Sequence, residues 1–267
     1  MNSLNQKIFR TLMMNDSPSS TAHPLDFNSF SAQAQQKRVT KTGTTIVGIK
    51  SEHGVILCAD TRATSGPFVV DKACFKLHRI SDDIYCAGAG TAADTDRVTS
   101  YASSMVRIFE TKYSRKAPVK YVISVISKHL FQYQGAVSAA LIVAGRYKST
   151  YHLYSIAPDG TVNPGFYLSM GSGSLAAVSV LEARYRAGMS MHEIKELGAC
   201  AVKAGIMNDL YSGSNVDCVV IDGTGTNVVR NFLKVAGTMT GKRIAYALDS
   251  VKVKKEEVFE IVEEVFE

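Results

Sequence analysis

The residues Thr42-Gly43-Thr44-Thr45 lie where an irregular polar segment meets the first β-prone run of the chain. A glycine directly before a β-branched threonine leaves the Gly43–Thr44 peptide bond sterically open to attack. If that bond is cleaved, Thr44 becomes an N-terminal residue with a hydroxyl nucleophile, and its α-amine, with a reference pKa of about 7.7–8.0, can act as the base. By itself the four-residue pattern is weak evidence, because it also fits an ordinary strand start.

Other patterns that could carry chemistry are incomplete. The GSGS run at 171–174 lacks the spacing of a serine-hydrolase nucleophile elbow, and GAGTAA at 88–93 lacks the third glycine of a dinucleotide fingerprint. The six histidines are scattered, so no local signal predicts a Ser-His-Asp site. The five cysteines include no CxxC pair, which argues against a disulfide scaffold and a structural zinc site. We therefore expect a reducing compartment, no metal and no cofactor.

Composition indicates a globular protein of one large or two small domains. The chain has 267 residues, of which 46% are hydrophobic and 20% are charged, enough to bury a sizeable core. No apolar run approaches the roughly 18 residues of a membrane helix, so we expect no membrane association. About half of the net charge of +6 lies in residues 1–43. Residues 44–267 are close to neutral and show no basic patch of the kind that binds nucleic acid.

Residues 1–43 differ from the rest of the chain in being polar, rich in Ser, Gln and Asn, and without sustained periodicity. A secretory signal is disfavoured, because Arg10 and Thr11 interrupt the short apolar stretch. A mitochondrial transit peptide remains open, since Arg and Ser are present and acidic residues are few. The other interpretations are a disordered tail and a prosegment removed on maturation.

From Thr44 onward, β-prone runs and helical periodicities alternate in blocks. Thr91 with Asp94, and Ser190 with Glu193, predict capping boxes at the starts of two helices. The order is strands, two helices, strands, two helices, strands. This order indicates an α+β architecture in which two antiparallel sheets pack together with helix pairs outside.

The motifs of this region resemble those of proteasome β subunits. The segments that carry the resemblance are TTIVGIK (44–50), GVILCADTRAT (54–64), DKACFKLHRI (71–80), CAGAGTAADT (86–95), GSGS (171–174) and NDLYSGSNVDCVVID (208–222). They occur in the family's order, and they most resemble the trypsin-like catalytic class at the β2 position of the 20S core ring. The resemblance implies the four-layer αββα sandwich of N-terminal-nucleophile hydrolases, which agrees with the order of the elements.

The resemblance also implies a catalytic group. Thr44 matches the nucleophile that self-cleavage after Gly43 exposes. Lys76 matches the lysine beside that nucleophile, and Asp60 matches the acid that pairs with the lysine. A nearby ammonium disfavours protonation of the α-amine and stabilises an alkoxide-like hydroxyl, while Asp60 would hold the lysine charged and oriented.

Supporting roles follow from the same resemblance. Ser172, Asp209 and Ser212 match the network that orients the amine and the hydroxyl. Gly90 matches the residue whose backbone N–H forms the oxyanion hole, where the missing side chain lets a substrate carbonyl approach.

The resemblance further implies cleavage after Arg or Lys. Gly88 matches a glycine that leaves the pocket for the residue before the cut open. Asp96 matches an acid that favours basic side chains, and Cys74 lines the same pocket in the family. A basic side chain that enters a partly dry pocket needs a paired carboxylate to offset its desolvation.

The C-terminal segment, residues 235–267, leaves the compact pattern and ends in KVKKEEVFEIVEEVFE. Its apolar residues recur at three- and four-residue spacings, so a helix with one apolar face is predicted, although β-branched residues leave a strand possible. A frayed acidic tail is the alternative. The resemblance implies an arm that embraces the adjacent subunit, which divides the chain into a prosegment (1–43), a catalytic domain (44–234) and an arm (235–267).

The implied function is that of a threonine endopeptidase subunit of the 20S proteasome core. Such a subunit assembles with other α and β subunits in stacked rings. It takes part in ATP- and ubiquitin-dependent degradation of unfolded polypeptides, in the cytoplasm and the nucleus. A non-catalytic structural subunit of the same ring is the alternative, but it is expected to lack the threonine after the glycine or the lysine. Another N-terminal-nucleophile amidase is disfavoured by the SGSNVD match.

Overall fold

The computed structural model of the protein describes residues 43–235. Within that range the strands are β1 (Ile46–Lys50), β2 (Gly54–Asp60), β3 (Ala63–Ser65), β4 (Phe68–Asp71), β5 (Leu77–Ser81), β6 (Ile84–Gly90), β7 (Ala139–Tyr147), β8 (Thr150–Ile156), β9 (Val162–Pro164), β10 (Tyr167–Met170), β11 (Asn215–Asp222) and β12 (Thr226–Lys234). The helices are α1 (Ala92–Tyr113), α2 (Val119–Tyr133), α3 (Ser174–Arg184) and α4 (Met191–Asn208). Nearly all of the predicted prosegment and arm lies outside the described residues.

Two five-stranded antiparallel sheets form the centre of the described region. The first sheet has the strand order β10-β1-β2-β11-β12, and the second has the order β5-β6-β7-β8-β9. A short turn, in which the Ser51 N–H donates to the Gly54 carbonyl at 2.8 Å, joins β1 to β2. The start of β1 therefore lies beside the end of β2, with Ile46 opposite Ala59. This pairing brings the start of β1 and the end of β2 together at the candidate active site.

The sheets stack face to face, and each carries a helix pair on its outer face. Strand β2 is buried along its whole length, because its alternate side chains pack on opposite faces. Ile56 and Cys58 join the cluster packed with α3 and α4, whereas Leu57 and Ala59 join the cluster between the sheets. A third cluster packs α1 and α2 on the second sheet. The predicted four-layer αββα sandwich is confirmed.

The helix ends show which of the two predicted capping boxes forms. Ser190 and Glu193 form the predicted capping box at the start of α4. The box predicted at Thr91 is wrong, because its side chain makes no capping hydrogen bond and the Asp94 carboxylate instead accepts the Ser138 N–H at 2.9 Å. Ser138, which is distant in sequence, has replaced the neighbouring Thr91 as the hydrogen-bond partner of the Asp94 carboxylate.

Helix α3 ends at Arg184, and Tyr185 is its extended C-cap residue. Gly188 does adopt a left-handed conformation, with a φ of 79°, but it lies in the turn that follows. Among residues 43–235, no helix is both long enough and apolar enough to cross a membrane.

Candidate active site

Three strands bring Thr44, Asp60 and Lys76 together at one edge of the sandwich. Thr44 lies two residues before β1, Asp60 ends β2, and Lys76 directly precedes β5 of the second sheet. The β1–β2 ladder continues past the strand ends, since the Asp60 N–H donates to the Thr45 carbonyl at 3.1 Å. Lys76 reaches this ladder from the facing sheet.

The Lys76 ammonium lies at the centre of the cluster and uses its donors on three oxygens. Its Nζ donates to Asp60 Oδ1 at 2.7 Å, to Thr44 Oγ1 at 3.0 Å and to the Gly43 carbonyl at 3.3 Å. The Thr44 hydroxyl itself donates to the Gly43 carbonyl at 2.7 Å. Thr44, Asp60 and Lys76 are all buried. The cation is thus held at the hydroxyl and at the carbonyl of the bond that precedes it.

Backbone groups hold the Asp60 carboxylate in place. Oδ1 accepts the Thr45 N–H at 2.9 Å, while Oδ2 accepts the Gly213 N–H at 3.0 Å and the Arg62 N–H at 3.2 Å. A buried ion pair offsets its desolvation only when further hydrogen bonds satisfy its remaining oxygens. These three donors supply that requirement for the pair between Asp60 and Lys76.

A second chain of hydrogen bonds reaches the Thr44 nitrogen. The Thr44 N–H donates to Ser172 Oγ at 3.1 Å, and Ser172 donates to Asp209 Oδ2 at 2.6 Å. Ser212 Oγ donates to the same Asp209 oxygen at 2.6 Å. Partial burial raises the pKa of Asp209, but the hydrogen bonds from the two serines and from two backbone N–H groups outweigh it, so this pKa lies below its usual value. Asp209 is therefore an anionic anchor for both serines.

Gly43, directly before Thr44, is closely confined. A Cβ added to Gly43 would lie 1.8 Å from Tyr211 Cβ and 2.8 Å from the Tyr211 Cα. The Gly43 N–H donates to Thr64 Oγ1 at 3.3 Å. Glycine is needed here because the backbone of the loop after α4 passes against it. Sequence reasoning missed both Thr64 and Tyr211, and their long separation from Gly43 offered no signal.

Thr45 was also missed, although it adjoins the nucleophile. Its side chain is fully buried, and its Oγ1 shares a hydrogen bond of 2.7 Å with Ser212 Oγ. Because the Ser212 hydroxyl already donates to Asp209, Thr45 is the donor in this pair. Thr45 thus connects the two halves of the site.

Gly90 ends β6 with a φ of 115°, a conformation that non-glycine residues rarely adopt. A Cβ at this position would also lie 2.3 Å from the Ser138 carbonyl oxygen. The need for glycine therefore comes from its backbone conformation and from a neighbouring strand end. This is a different reason from the access of a substrate carbonyl that the sequence suggested.

A cavity of about 680 Å³ lies between β5 and α1. Its lining includes Phe75, His78 and the predicted specificity residue Asp96, but neither Gly88 nor Cys74. Gly88 is buried behind the wall, where an added Cβ would lie 3.2 Å from His78 Nε2 and 3.1 Å from Thr95 Cβ. The structure therefore gathers Asp96 and His78 at the cavity, and it places Gly88 as the residue that leaves room for His78 and Thr95.

The charge state of His78 affects this cavity. Its Nδ1 lies 3.4 Å from Asp96 Oδ1. Burial lowers the pKa of His78, and the Asp96 carboxylate only partly offsets that effect. At neutral pH the imidazole is therefore uncharged, which leaves the Asp96 charge available to a cation. Partial burial likewise raises the pKa of the Cys74 thiol, against the effect of nearby Lys76.

The described residues contain no group of His, Cys, Asp and Glu side chains arranged to hold a metal ion. The chemistry available at the site therefore consists of a hydroxyl, an ammonium, carboxylates and backbone N–H groups. These are the components of nucleophilic acyl transfer.

Comparison with known proteins gives a consistent result. The family model described as "Proteasome subunit" matches residues 40–221. The chain is 52% identical to the probable proteasome subunit beta type-2 of Encephalitozoon cuniculi over 85% of this chain and 99% of that protein. It is 48% identical to the proteasome subunit beta type-2 of Saccharomyces cerevisiae over 77% of this chain and 80% of that protein. It is 49% identical to the proteasome subunit beta type-7-B of Arabidopsis thaliana over 73% and 71% of the two chains.

Proposed function

Because this chain belongs to the proteasome β-subunit family, a family of threonine peptidases, we propose that it is a catalytic subunit of the trypsin-like class with Thr44 as its nucleophile. The observation that carries the proposal is the Lys76 ammonium, which lies within hydrogen-bond distance of both the Thr44 hydroxyl and the Gly43 carbonyl. A purely structural subunit has no need for a buried cation at these two oxygens.

Self-cleavage is the first reaction of this site. Thr44 Oγ attacks the Gly43 carbonyl carbon, the peptide C–N bond breaks, and the acyl group moves to the hydroxyl as an ester. The departing nitrogen takes a proton and becomes the α-amine of Thr44, and water then hydrolyses the ester to leave Gly43 as a C-terminal carboxylate. Lys76 stabilises the negative charge that develops on the Gly43 oxygen, which is 3.3 Å from its Nζ.

Peptide cleavage reuses the same groups. The freed α-amine accepts the hydroxyl proton as Thr44 Oγ attacks the substrate carbonyl, and that proton goes to the leaving amine. Ser172, Asp209 and Ser212 support this step, since the Thr44 nitrogen already donates to Ser172. In this proposal the Gly90 N–H stabilises the oxyanion. Water releases the acyl group from Thr44 and completes the turnover.

The preference for Arg or Lys before the cut depends on Asp96. Its carboxylate lines the cavity beside β5, and the neighbouring His78 is uncharged at neutral pH. A guanidinium or ammonium that enters the cavity can therefore pair with the Asp96 carboxylate. Arg79 and Arg107 also line this cavity, and the Arg79 guanidinium is paired with Asp82.

Members of this family assemble into rings with other proteasome subunits. We propose that this chain occupies a stacked α and β ring particle in the cytoplasm and the nucleus, where unfolded polypeptides are its substrates and degradation depends on ATP and ubiquitin. Neither nucleic acid nor a membrane is a proposed partner. Residues 1–43 are proposed to be a removable prosegment, which makes the precursor a zymogen, and residues 235–267 an arm on a neighbouring subunit.

Mass spectrometry of the chain in purified particles tests this proposal. Wild-type chain should begin at Thr44, and Thr44→Ala should keep residues 1–43 attached and lose peptide cleavage, because both reactions use the same hydroxyl. Thr44→Ser retains the attacking group and should keep partial activity. Wild-type particles in which the chain still begins at Met1, or normal maturation of Thr44→Ala, would contradict the mechanism and favour the structural role.

A further inference from the structure

An irregularity in β12 directs an arginine toward the site. Val216 pairs with Leu233 and Cys218 pairs with Val229, so three β12 residues lie opposite the single residue Asp217. The central residue of the three, Asn231, adopts a left-handed φ of 52°. Its N–H donates to Asp217 Oδ1 at 2.7 Å instead of continuing the ladder. Bulges of this kind re-aim side chains and are frequent beside active sites.

The side chain that this bulge re-aims is Arg230. Its Nε lies 3.0 Å from Asp217 Oδ2, and its NH2 donates to the Ala73 carbonyl at 2.7 Å. Its guanidinium carbon lies 4.6 Å from the centroid of the Phe75 ring. Asp217 is only 1% exposed, so the carboxylate fixes the arginine from the protein interior. Arg230 thereby joins β12 to residues 72–75, which we call the 72–75 segment.

The 72–75 segment contributes one side chain, Phe75, to the lining of the cavity. Its Ala73 N–H donates to Asp71 Oδ1 at 2.8 Å. The Cys74 N–H donates to the Thr61 carbonyl at 3.0 Å, and the Lys72 carbonyl accepts the Thr61 hydroxyl at 2.9 Å. Phe75 lines the cavity that contains Asp96, and the next residue is Lys76. No regular strand holds this segment, because β4 ends at Asp71 and β5 begins at Leu77.

We propose that Arg230 is a positioning residue that fixes the 72–75 segment and thereby holds Phe75 in the lining of the specificity cavity. The inference rests on the proposed peptide cleavage and adds a residue far from the nucleophile in sequence. Lys76 is held separately, by its own contacts to Asp60 and Thr44 and by its carbonyl, which accepts the Gly88 N–H at 3.1 Å. Loss of Arg230 therefore alters substrate binding more than the chemical step.

The test uses assembled particles that contain full-length variants. Arg230→Gln should raise KM for peptides with Arg before the cut by about 5-fold or more and change kcat by less than about 2-fold. Lys234→Gln removes an exposed charge from the same strand and is the matched control, with kinetics like the wild type. Equal KM values for Arg230→Gln and Lys234→Gln would overturn the proposal, as would a fall in kcat with KM unchanged.

A double variant separates positioning from charge balance. Arg230→Gln leaves the buried Asp217 carboxylate unpaired, which alone could loosen the fold. Arg230→Gln combined with Asp217→Asn removes both charges, so a positioning role predicts that KM stays high. A return of KM to the wild-type value would mean that Arg230 only neutralises Asp217, and it would overturn the proposal.

Hydrogen exchange in the same particles tests the inference without any activity. The Cys74 amide should exchange faster in Arg230→Gln than in Lys234→Gln, because the segment loses its attachment to β12. Unchanged exchange would overturn the positioning role whatever the kinetics. Wild-type particles that fail to cleave after Arg or Lys would instead contradict the proposed function, and the exchange result would still decide the role of Arg230.

Discussion

Lys76 is the residue on which the two proposed reactions depend most directly. It is buried, and its donors are shared among Asp60, Thr44 and the Gly43 carbonyl. The cation therefore lies at the proposed nucleophile and at the carbonyl of the bond proposed to be cleaved. A side chain of another shape could not keep all three distances near 3 Å.

Lys76→Ala should reduce peptide cleavage by about 100-fold or more, because removal of one preorganised donor from a developing oxyanion has an effect of that order. The residues 1–43 should also remain attached in most of the chain. Both effects can be measured by peptide hydrolysis and by intact-mass analysis of particles. Lys72→Ala is the control, since Lys72 is exposed in the same stretch. Efficient maturation of Lys76→Ala in particles of normal composition would contradict the role of the lysine.

Asp96→Asn should remove the preference for basic residues, because the amide keeps its shape and loses the charge. We expect KM for peptides with Arg before the cut to rise about 10-fold, with little change for apolar residues. Glu52→Gln, an exposed change in the turn after β1, is the control. An unchanged ratio of the two KM values would remove Asp96 from the pocket.

A fall in pH provides a second test of the role of Asp96 in the preference for basic residues. The pKa of His78 is lowered by burial, so the imidazole stays neutral through neutral pH and gains its charge only below its usual range. Protonated His78 would pair with Asp96 at 3.4 Å and repel a basic substrate, together with Arg79 and Arg107 of the cavity lining. Selectivity for Arg should therefore fall as pH falls, and this dependence should be weaker in Asp96→Asn, which has no carboxylate for His78 to neutralise.

At the scale of the elements, the contact between α4 and the start of β1 fixes the nucleophile. Gly205 lies inside α4, where alanine normally stabilises a helix by about 0.5–1 kcal/mol. Here an added Cβ would lie 2.4 Å from Thr45 Oγ1 and 2.5 Å from Thr45 Cγ2. Close packing therefore outweighs helix propensity, and the glycine permits Thr45 to sit against the helix.

Gly205→Ala should destabilise the subunit by about 1–3 kcal/mol, the usual penalty for overpacking a core. It should also slow the release of residues 1–43, because displacement of Thr45 shifts Thr44. Thermal unfolding and intact mass of the particles measure the two effects. Lys203→Ala in the same helix is the control, and Thr45→Ser in the Gly205→Ala background should restore part of the loss. A gain in stability from Gly205→Ala would contradict this account.

For the whole molecule, two features of the chain point to assembly with other subunits. Phe68 of β4 is 73% exposed and Val70 is 69% exposed, which gives the β3–β4 hairpin an apolar surface. Residues 256–267 contain six glutamates interspersed with Val, Ile and Phe. Soluble proteins usually cover such apolar groups with a partner. Both features agree with a subunit that functions inside a ring.

Truncation after Thr238 should impair incorporation into particles while the site groups remain unchanged in sequence. The expected result is a lower yield of particles that contain the chain, measured by native electrophoresis and mass spectrometry. Substitution of only the glutamates of the segment by glutamine is a control for charge, since it keeps the apolar residues that would bind the neighbour. Truncated chain incorporated at wild-type yield would contradict the proposed arm.

Local patterns in the sequence are enough to predict the layers of this protein and one of its helix caps. A continuous apolar run such as β2 and a helical spacing such as that of α4 are properties of neighbouring residues. The capping box of Ser190 and Glu193 is equally local. The Thr42-Gly43-Thr44-Thr45 pattern offered Thr44 as a candidate, but the choice of Asp60 and Lys76 as its partners came from a family resemblance, because no spacing rule joins residues so far apart.

Which groups distant in sequence come into contact depends on the tertiary structure. The Asp94 carboxylate accepts the Ser138 N–H and does not form a capping box with Thr91, because the β6–β7 pairing brings the Ser138 N–H within reach. The contact of Gly43 with Tyr211 depends on the packing of two loops, and the aim of Arg230 on a bulge opposite Asp217. Such contacts depend on strand register and layer packing, which are set by the balance of many burial terms across the fold. Local sequence determines the helices and strands, and the packing of the whole fold sets the distances between their reactive side chains.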